Sequence, residues 1–193
     1  MAKVVLLTGS NLGDRSVLLA EACERIALRI GTLERKSGIY ESEPWGFTAD
    51  GKPFLNQVLI AETTLSPLGV LDEVQAIEQE LGRSRRPSGN PVVPRYESRP
   101  IDIDILFYDD LCLSSERLTI PHPLIVEREF VLVPLAEVSG NYVHPVWRRT
   151  IRELLMDLQC SAPKKSKKKP KLLAGIKFHL SLQRKTGLRP VQH

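Results

Sequence analysis

Cysteine, tryptophan and aromatic side chains are scarce in this 193-residue chain: three Cys, two Trp and 6% aromatics in all. Cys23, Cys112 and Cys160 stand far apart, in no metal-ligand spacing and no redox pair. A disulfide scaffold, a zinc site and thiol–disulfide chemistry are thereby excluded. An odd, sparse count fits a reducing compartment. No apolar run approaches the roughly 20 residues of a membrane span. The opening run, Met1-Ala2-Lys3-Val4-Val5-Leu6-Leu7, is too short for a signal peptide. A cytoplasmic protein with no membrane partner is expected. There is no internal repeat and no Walker loop, so a nucleotide here must be held by arginines and metal instead.

Acidic residues are missing from one region altogether. Residues 161–193 hold eight Lys and two Arg but no Asp or Glu, which leaves 17 basic and 23 acidic side chains in residues 1–160. The net charge of +4 therefore hides a mildly acidic body and a basic tail. Residues 1–160 are long enough for one well-buried domain. The tail opens with Pro163-Lys164-Lys165-Ser166-Lys167-Lys168-Lys169-Pro170-Lys171, which cannot bury itself and is expected to be disordered. It could bind anions by charge, but the chemistry of the body requires no nucleic acid.

What is present reads as alternating elements. Lys3 to Thr8 is a buried strand, ended by Gly9-Ser10-Asn11-Leu12-Gly13. Asp14 or Asn11 can cap the next helix, in which Leu18, Leu19, Ala22, Ile26 and Ile30 recur at helical spacing. Leu33 to Ser42 is a second strand and Phe54 to Thr64 a third, with a Pro- and Gly-containing loop between them. Ser66-Pro67 starts a helix running to Gly82. Arg83 to Ser98 is a long polar loop bearing Arg83, Arg85, Arg86 and Arg95, the composition of a lid that closes on phosphate. After a further strand come the turn Asp109-Asp110, the turn Pro121-His122-Pro123, an apolar run from Phe130 to Leu135, and a helix from Thr150 to Leu158. The order predicts an α+β protein: a ferredoxin-like βαββαβ antiparallel sheet covered by helices, with a C-terminal helical extension.

The strand after the loop carries the chemistry. In Arg99-Pro100-Ile101-Asp102-Ile103-Asp104-Ile105, the isoleucines take one face and two carboxylates the other, roughly 7 Å apart. Aspartate is a poor strand former, so two of them on one short strand call for a reason. Like charges this close resist ionisation unless a cation joins them. Magnesium commonly takes such a pair together with substrate phosphates, and Arg99 could reach the same phosphates. Two solvated aspartates on an amphipathic strand remain the plain alternative, as does an RNA-binding module with this topology.

Five motifs occur in order: Gly9-Ser10-Asn11-Leu12-Gly13-Asp14-Arg15, Phe54-Leu55-Asn56, Glu78 followed by Gly82, Arg83 and Arg85, Arg99 to Leu106, and Pro121-His122-Pro123. Together they resemble the 6-hydroxymethyl-7,8-dihydropterin pyrophosphokinases of folate biosynthesis over about residues 3–158. The resemblance implies transfer of pyrophosphate from ATP to the pterin hydroxymethyl group, release of AMP, and two magnesium ions. It implies that Asp102 and Asp104 ligate metal and that Arg83 and Arg99 act on the phosphates. Gln75, Glu78, Arg85, Ile105, Arg117, Thr119, His122 and Arg128 fall at its ATP site. Phe54 and Phe130 fall where two aromatics sandwich the pterin. Asn56 falls where an amide meets the ring edge, with Ser42, Glu43, Pro44 and Trp45 beside it. The implied partners are the two small substrates, acting on a monomer. Two departures stand out: Glu97-Ser98 precedes Arg99 where Gly-Pro is common, and the basic tail has no counterpart.

Overall fold

Local sequence sets the helix starts in the computed structural model, which describes residues 1–44, 52–83, 99–161 and 169–173. Asp14 accepts from the Val17 amide at 3.2 Å and opens α1 (Arg15–Arg29). Ser66 accepts from the Gly69 amide at 3.1 Å, and Pro67 leads α2 (Pro67–Glu80). Both are oxygen caps on amides that the first helical turn leaves unpaired.

The strands preceding and following these helices are β1 (Ala2–Ser10), β2 (Thr32–Lys36), β3 (Tyr40–Ser42), β4 (Phe54–Thr63) and β5 (Asp102–Tyr108). They form one antiparallel sheet in which β1 lies between β5 and β4, and both β2 and β3 pair with β4. The expected single strand from Leu33 to Ser42 is thus two. Ser37 interrupts it: its hydroxyl accepts from the Val58 amide at 3.0 Å, and its carbonyl accepts from Gln57 Nε2 at 2.8 Å. The Ser37 amide still donates to the Val58 carbonyl at 2.9 Å, and side-chain bonds take the place of the return ladder bond.

Helices cover both faces of the sheet. Leu6, Leu59 and Ile103 pack beneath Leu19 and Ile26 of α1 and Ile77 of α2. Leu7, Val58 and Leu106 pack against Val131 and Leu135 of α3 (Glu129–Ser139) and Leu154 of α4 (Ile151–Ser161). The run from Phe130 to Leu135 is therefore helical, with Pro134 tolerated inside α3. β5 keeps its alternation only as far as Ile105. Leu6 pairs with Ile105 and Val5 with Phe107, so Leu106 is an extra residue, and Leu106 and Phe107 both reach the α3 side.

A short hairpin, β6 (Leu113–Ser114) with β7 (Thr119–Ile120), precedes a cis Ile120–Pro121 peptide and a 3-10 turn at Ile125–Glu127. Within the basic tail, β8 (Lys171–Leu172) pairs antiparallel with Tyr40 and Glu41 of β3. That stretch has structure where disorder is expected from composition; Pro163 to Lys168 lies outside the described residues. Among the described residues, no helix is long and apolar enough to cross a membrane.

Candidate active site

The site lies beside the N-terminal end of α3, whose Phe130 and capping Arg128 line it. There β-sheet register lines up side chains from three strands. Gly9 of β1 pairs with Asp102 on one side and Asn56 on the other, while Leu7 pairs with Asp104 and Val58. Asp102 and Asn56 are thus two strand spacings apart, about 10 Å. Gly9 keeps the floor between them low: a Cβ there would stand 3.3 Å from Asn56 Oδ1 and 3.8 Å from Phe54 Cδ1.

Leu7, Gly9, Ser42, Glu43, Phe54, Asn56, Asp102, Asp104, Arg128 and Phe130 line one cleft. Asn56 is buried and donates through Nδ2 to Ser42 Oγ at 2.8 Å, which fixes the rotation of its carboxamide. The Arg128 guanidinium carbon lies 5.7 Å from the centroid of the Phe130 ring, within cation–π range. At the entry to β4, Arg15 Nη1 donates to the Pro53 carbonyl at 2.8 Å and meets Glu41 Oε1 at 3.0 Å. This bond ties α1 to the backbone that leads into Phe54.

The charged end of the cleft is built around Asp102. Arg83 Nη1 lies 2.7 Å from its Oδ1, and Arg99 Nη1 lies 3.1 Å from both of its oxygens. Glu78, buried on α2, pairs with Arg83 and also accepts from the Ile103 amide at 2.8 Å. That second bond fixes the peptide between the two aspartates. Burial pushes the Glu78 carboxyl well above its usual range, and Arg83 opposes the shift. Asp104 is raised by burial first and by the Asp102 charge second, while Arg128, Arg83 and Arg99 pull it down. A carboxylate held against its own ionisation gains most from a cation. No group of three or more His, Cys, Asp or Glu among the described residues could hold a metal unaided. Two carboxylates completed by phosphate oxygens are nonetheless a usual magnesium set, so the pair fits that ion in the presence of a nucleotide.

The remaining expected residues are distributed around this centre. Gln75 is half-buried on α2. Arg117, between β6 and β7, reaches the same helix through Asp72 Oδ1 at 2.5 Å, and Thr119 is exposed on β7. These three border the α2 side. His122 donates its amide to the Leu106 carbonyl at 3.0 Å, and its Nδ1 accepts from the Leu124 amide at 3.2 Å. An accepting Nδ1 puts the ring proton on Nε2. Burial, seconded by Arg128, lowers the His122 pKa to about 4. The Ile105 side chain packs in the α1–α2 core, so only its backbone is available to a ligand. Pro44 follows β3, while Trp45 and Arg85 lie outside the described residues, as does the expected arginine lid from 84 to 98.

Sequence patterns missed Leu7 altogether and gave Gly9, Asn11 and Arg15, though they belong to the first family motif, no role in the site. Leu7 reads as core, and Gly9 and Asn11 read as a turn. Their importance comes from strand register and from contacts with distant segments.

Residues 5–140 match the model of the family described as 7,8-dihydro-6-hydroxymethylpterin-pyrophosphokinase (HPPK). The chain belongs to the HPPK family. It is 44% identical over 146 residues to the 2-amino-4-hydroxy-6-hydroxymethyldihydropteridine pyrophosphokinase of Porphyromonas gingivalis, a match covering 75% of this chain and 95% of that one. The Aquifex aeolicus protein of the same name is 39% identical over 153 residues, covering 79% and 90%. A crystal structure of Plasmodium falciparum HPPK-DHPS with SDX-DHP superposes with a TM-score of 0.68 at 18% identity, covering 89% of this chain and 48% of that one. At that identity the likeness concerns the fold alone, and this HPPK-family chain spans less than half of the length of the Plasmodium chain. The family match ends at Gly140, just past α3 and ahead of α4 and the basic tail.

Proposed function

We propose that this chain transfers pyrophosphate from ATP to the hydroxymethyl group of 6-hydroxymethyl-7,8-dihydropterin, a step of folate biosynthesis. The observation that carries this reading is the row Asp102–Gly9–Asn56, in which Asp102 and Asn56 stand about 10 Å apart on one sheet face, a spacing that suits a phosphate-and-metal centre beside a slot for a flat heterocycle. A pterin suits that slot: Phe54 and Phe130 offer faces for stacking, and the Asn56 carboxamide, steered by Ser42, offers an exact donor and acceptor. Glu43, Pro44 and Trp45 follow Ser42 and are assigned to the same subsite. Gln75, Arg85, Ile105, Arg117, Thr119, His122 and Arg128 are assigned to ATP, with Glu78 supporting Arg83 from below.

In the reaction the pterin hydroxyl oxygen forms a bond to the β-phosphorus of ATP. The bond from that phosphorus to the α,β-bridging oxygen breaks, AMP leaves, and the hydroxyl proton passes to solvent. Such a displacement asks the protein mainly for alignment and charge neutralisation. Arg83 and Arg99, beside Asp102, can turn their donors to the phosphates. The neutral His122 can donate through Nε2. Asp102 and Asp104 would hold magnesium, two ions in this proposal, which supplies further charge screening when bound. We read the sheet as ferredoxin-like βαββαβ, its second strand broken into β2 and β3, and the active unit as a cytoplasmic monomer.

AMP release from ATP and magnesium, with and without the dihydropterin, tests the proposal. Pterin-dependent AMP together with a diphosphorylated pterin is the expected result. ADP as product would make the protein an ordinary kinase and overturn the reading.

A further inference from the structure

Asn11 lies one residue past the end of β1 and is fully buried. It meets Arg99 twice. Its Oδ1 accepts from the Arg99 amide at 2.7 Å, and its own amide donates to the Arg99 carbonyl at 3.2 Å. The two bonds hold the peptide groups on either side of the Arg99 Cα, so the residue can neither shift nor turn as a unit. The two bonds join segments 88 residues apart, so they contribute tertiary placement and no local turn geometry to Arg99.

The placement matters because of where Arg99 sits. It precedes β5 by three residues, and its guanidinium reaches both Asp102 oxygens. With the backbone pinned by Asn11 and the tip set by Asp102, only the side-chain torsions of Arg99 are left to vary. Loss of the pin would move the origin of a long side chain whose task is to meet a phosphate oxygen. A misplacement of about 1 Å can cost on the order of 100-fold in rate. On the pterin side, Asn56 is oriented by Ser42 and Phe54 is anchored through Pro53, neither of which depends on the Asn11 carboxamide.

We infer that Asn11 is a positioning residue for pyrophosphate transfer, setting the Arg99 guanidinium at the phosphate end of the cleft without touching substrate. This rests on the reading of Arg99 as a phosphate contact. The test is a double-mutant cycle on the full chain, measuring single-turnover transfer with Asn11→Ala, Arg99→Ala and the pair. Pterin binding by fluorescence and the melting temperature report on folding; Asn11→Ser, whose hydroxyl falls short of the Arg99 amide, takes the place of Asn11→Ala should alanine unfold the chain. Asn11→Ala is expected to slow transfer about 10- to 100-fold while pterin affinity stays within about twofold. In the Arg99→Ala background the same change should cost less than about threefold. An equal loss in both backgrounds, an undiminished rate in the single variant, or a matching loss of pterin affinity would overturn the positioning role. A wild-type rate for Arg99→Ala would instead remove the phosphate role of Arg99 itself, and the inference with it.

Discussion

Asp102 and Asp104 share a face of β5 yet have different surroundings. Asp102 faces two guanidinium groups, whereas Asp104 is held back from ionising by burial and by its neighbour. Alanine at either position should abolish turnover and leave the fold intact, as judged by activity beside an unchanged circular dichroism spectrum. His122 makes a prediction about pH. Its pKa of about 4 in the folded chain lies below the ordinary histidine value near 6.5. The unfolded chain therefore takes up a proton first as pH falls, so the stability His122 contributes is complete above about pH 6.5 and drains away toward pH 4. Ring signals followed by NMR should stay neutral down to about pH 4; titration near 6.5 would mean that the ring is solvated. The aspartate pair and Arg99 stood out in the sequence by residue type and spacing, whereas His122 entered only through the family resemblance. Asn11 did not stand out, because a buried asparagine after a strand looks like any turn residue until its partner is known.

At the level of elements, helix starts are local and were readable: Ser66-Pro67 and Asp14 stand where they cap. Replacing Asp14 with alanine should lower stability by about 1 kcal/mol in chemical denaturation. The break between β2 and β3 was hidden, since Ser37 acts through the backbone of Val58 on another strand. α3 was ambiguous for a different reason. A fully apolar run has no periodicity to distinguish helix from strand, and only packing against both β4 and α4 resolves it. Leu132 is fully buried there, and Leu132→Ala should cost about 2–5 kcal/mol in the same measurement.

For the whole molecule, the division between an acidic body and a basic tail is a fact of composition, and β8 is what the tertiary structure adds to it. Gly38 lies under Leu172, where a Cβ would come within 2.4 Å of Cδ1. Gly38→Ala should therefore loosen β8, seen as faster hydrogen exchange at the Leu173 amide, which donates to the Ile39 carbonyl at 2.9 Å. Pterin-dependent AMP formation should stay within about twofold of wild type, because Asn56 and the aspartates are held by β1, β4 and β5. The two helix caps and the alternation of the aspartate strand were determined by the sequence alone, since each is set by neighbours within a few residues. The cleft itself was decided by tertiary structure. It exists because strand register aligns Asp102, Gly9 and Asn56, because the start of α3 brings Phe130 to that row, and because Glu78 and Asn11 reach across 25 and 88 residues to hold β5 and Arg99. Long-range pairing of this kind leaves no periodic trace in the chain.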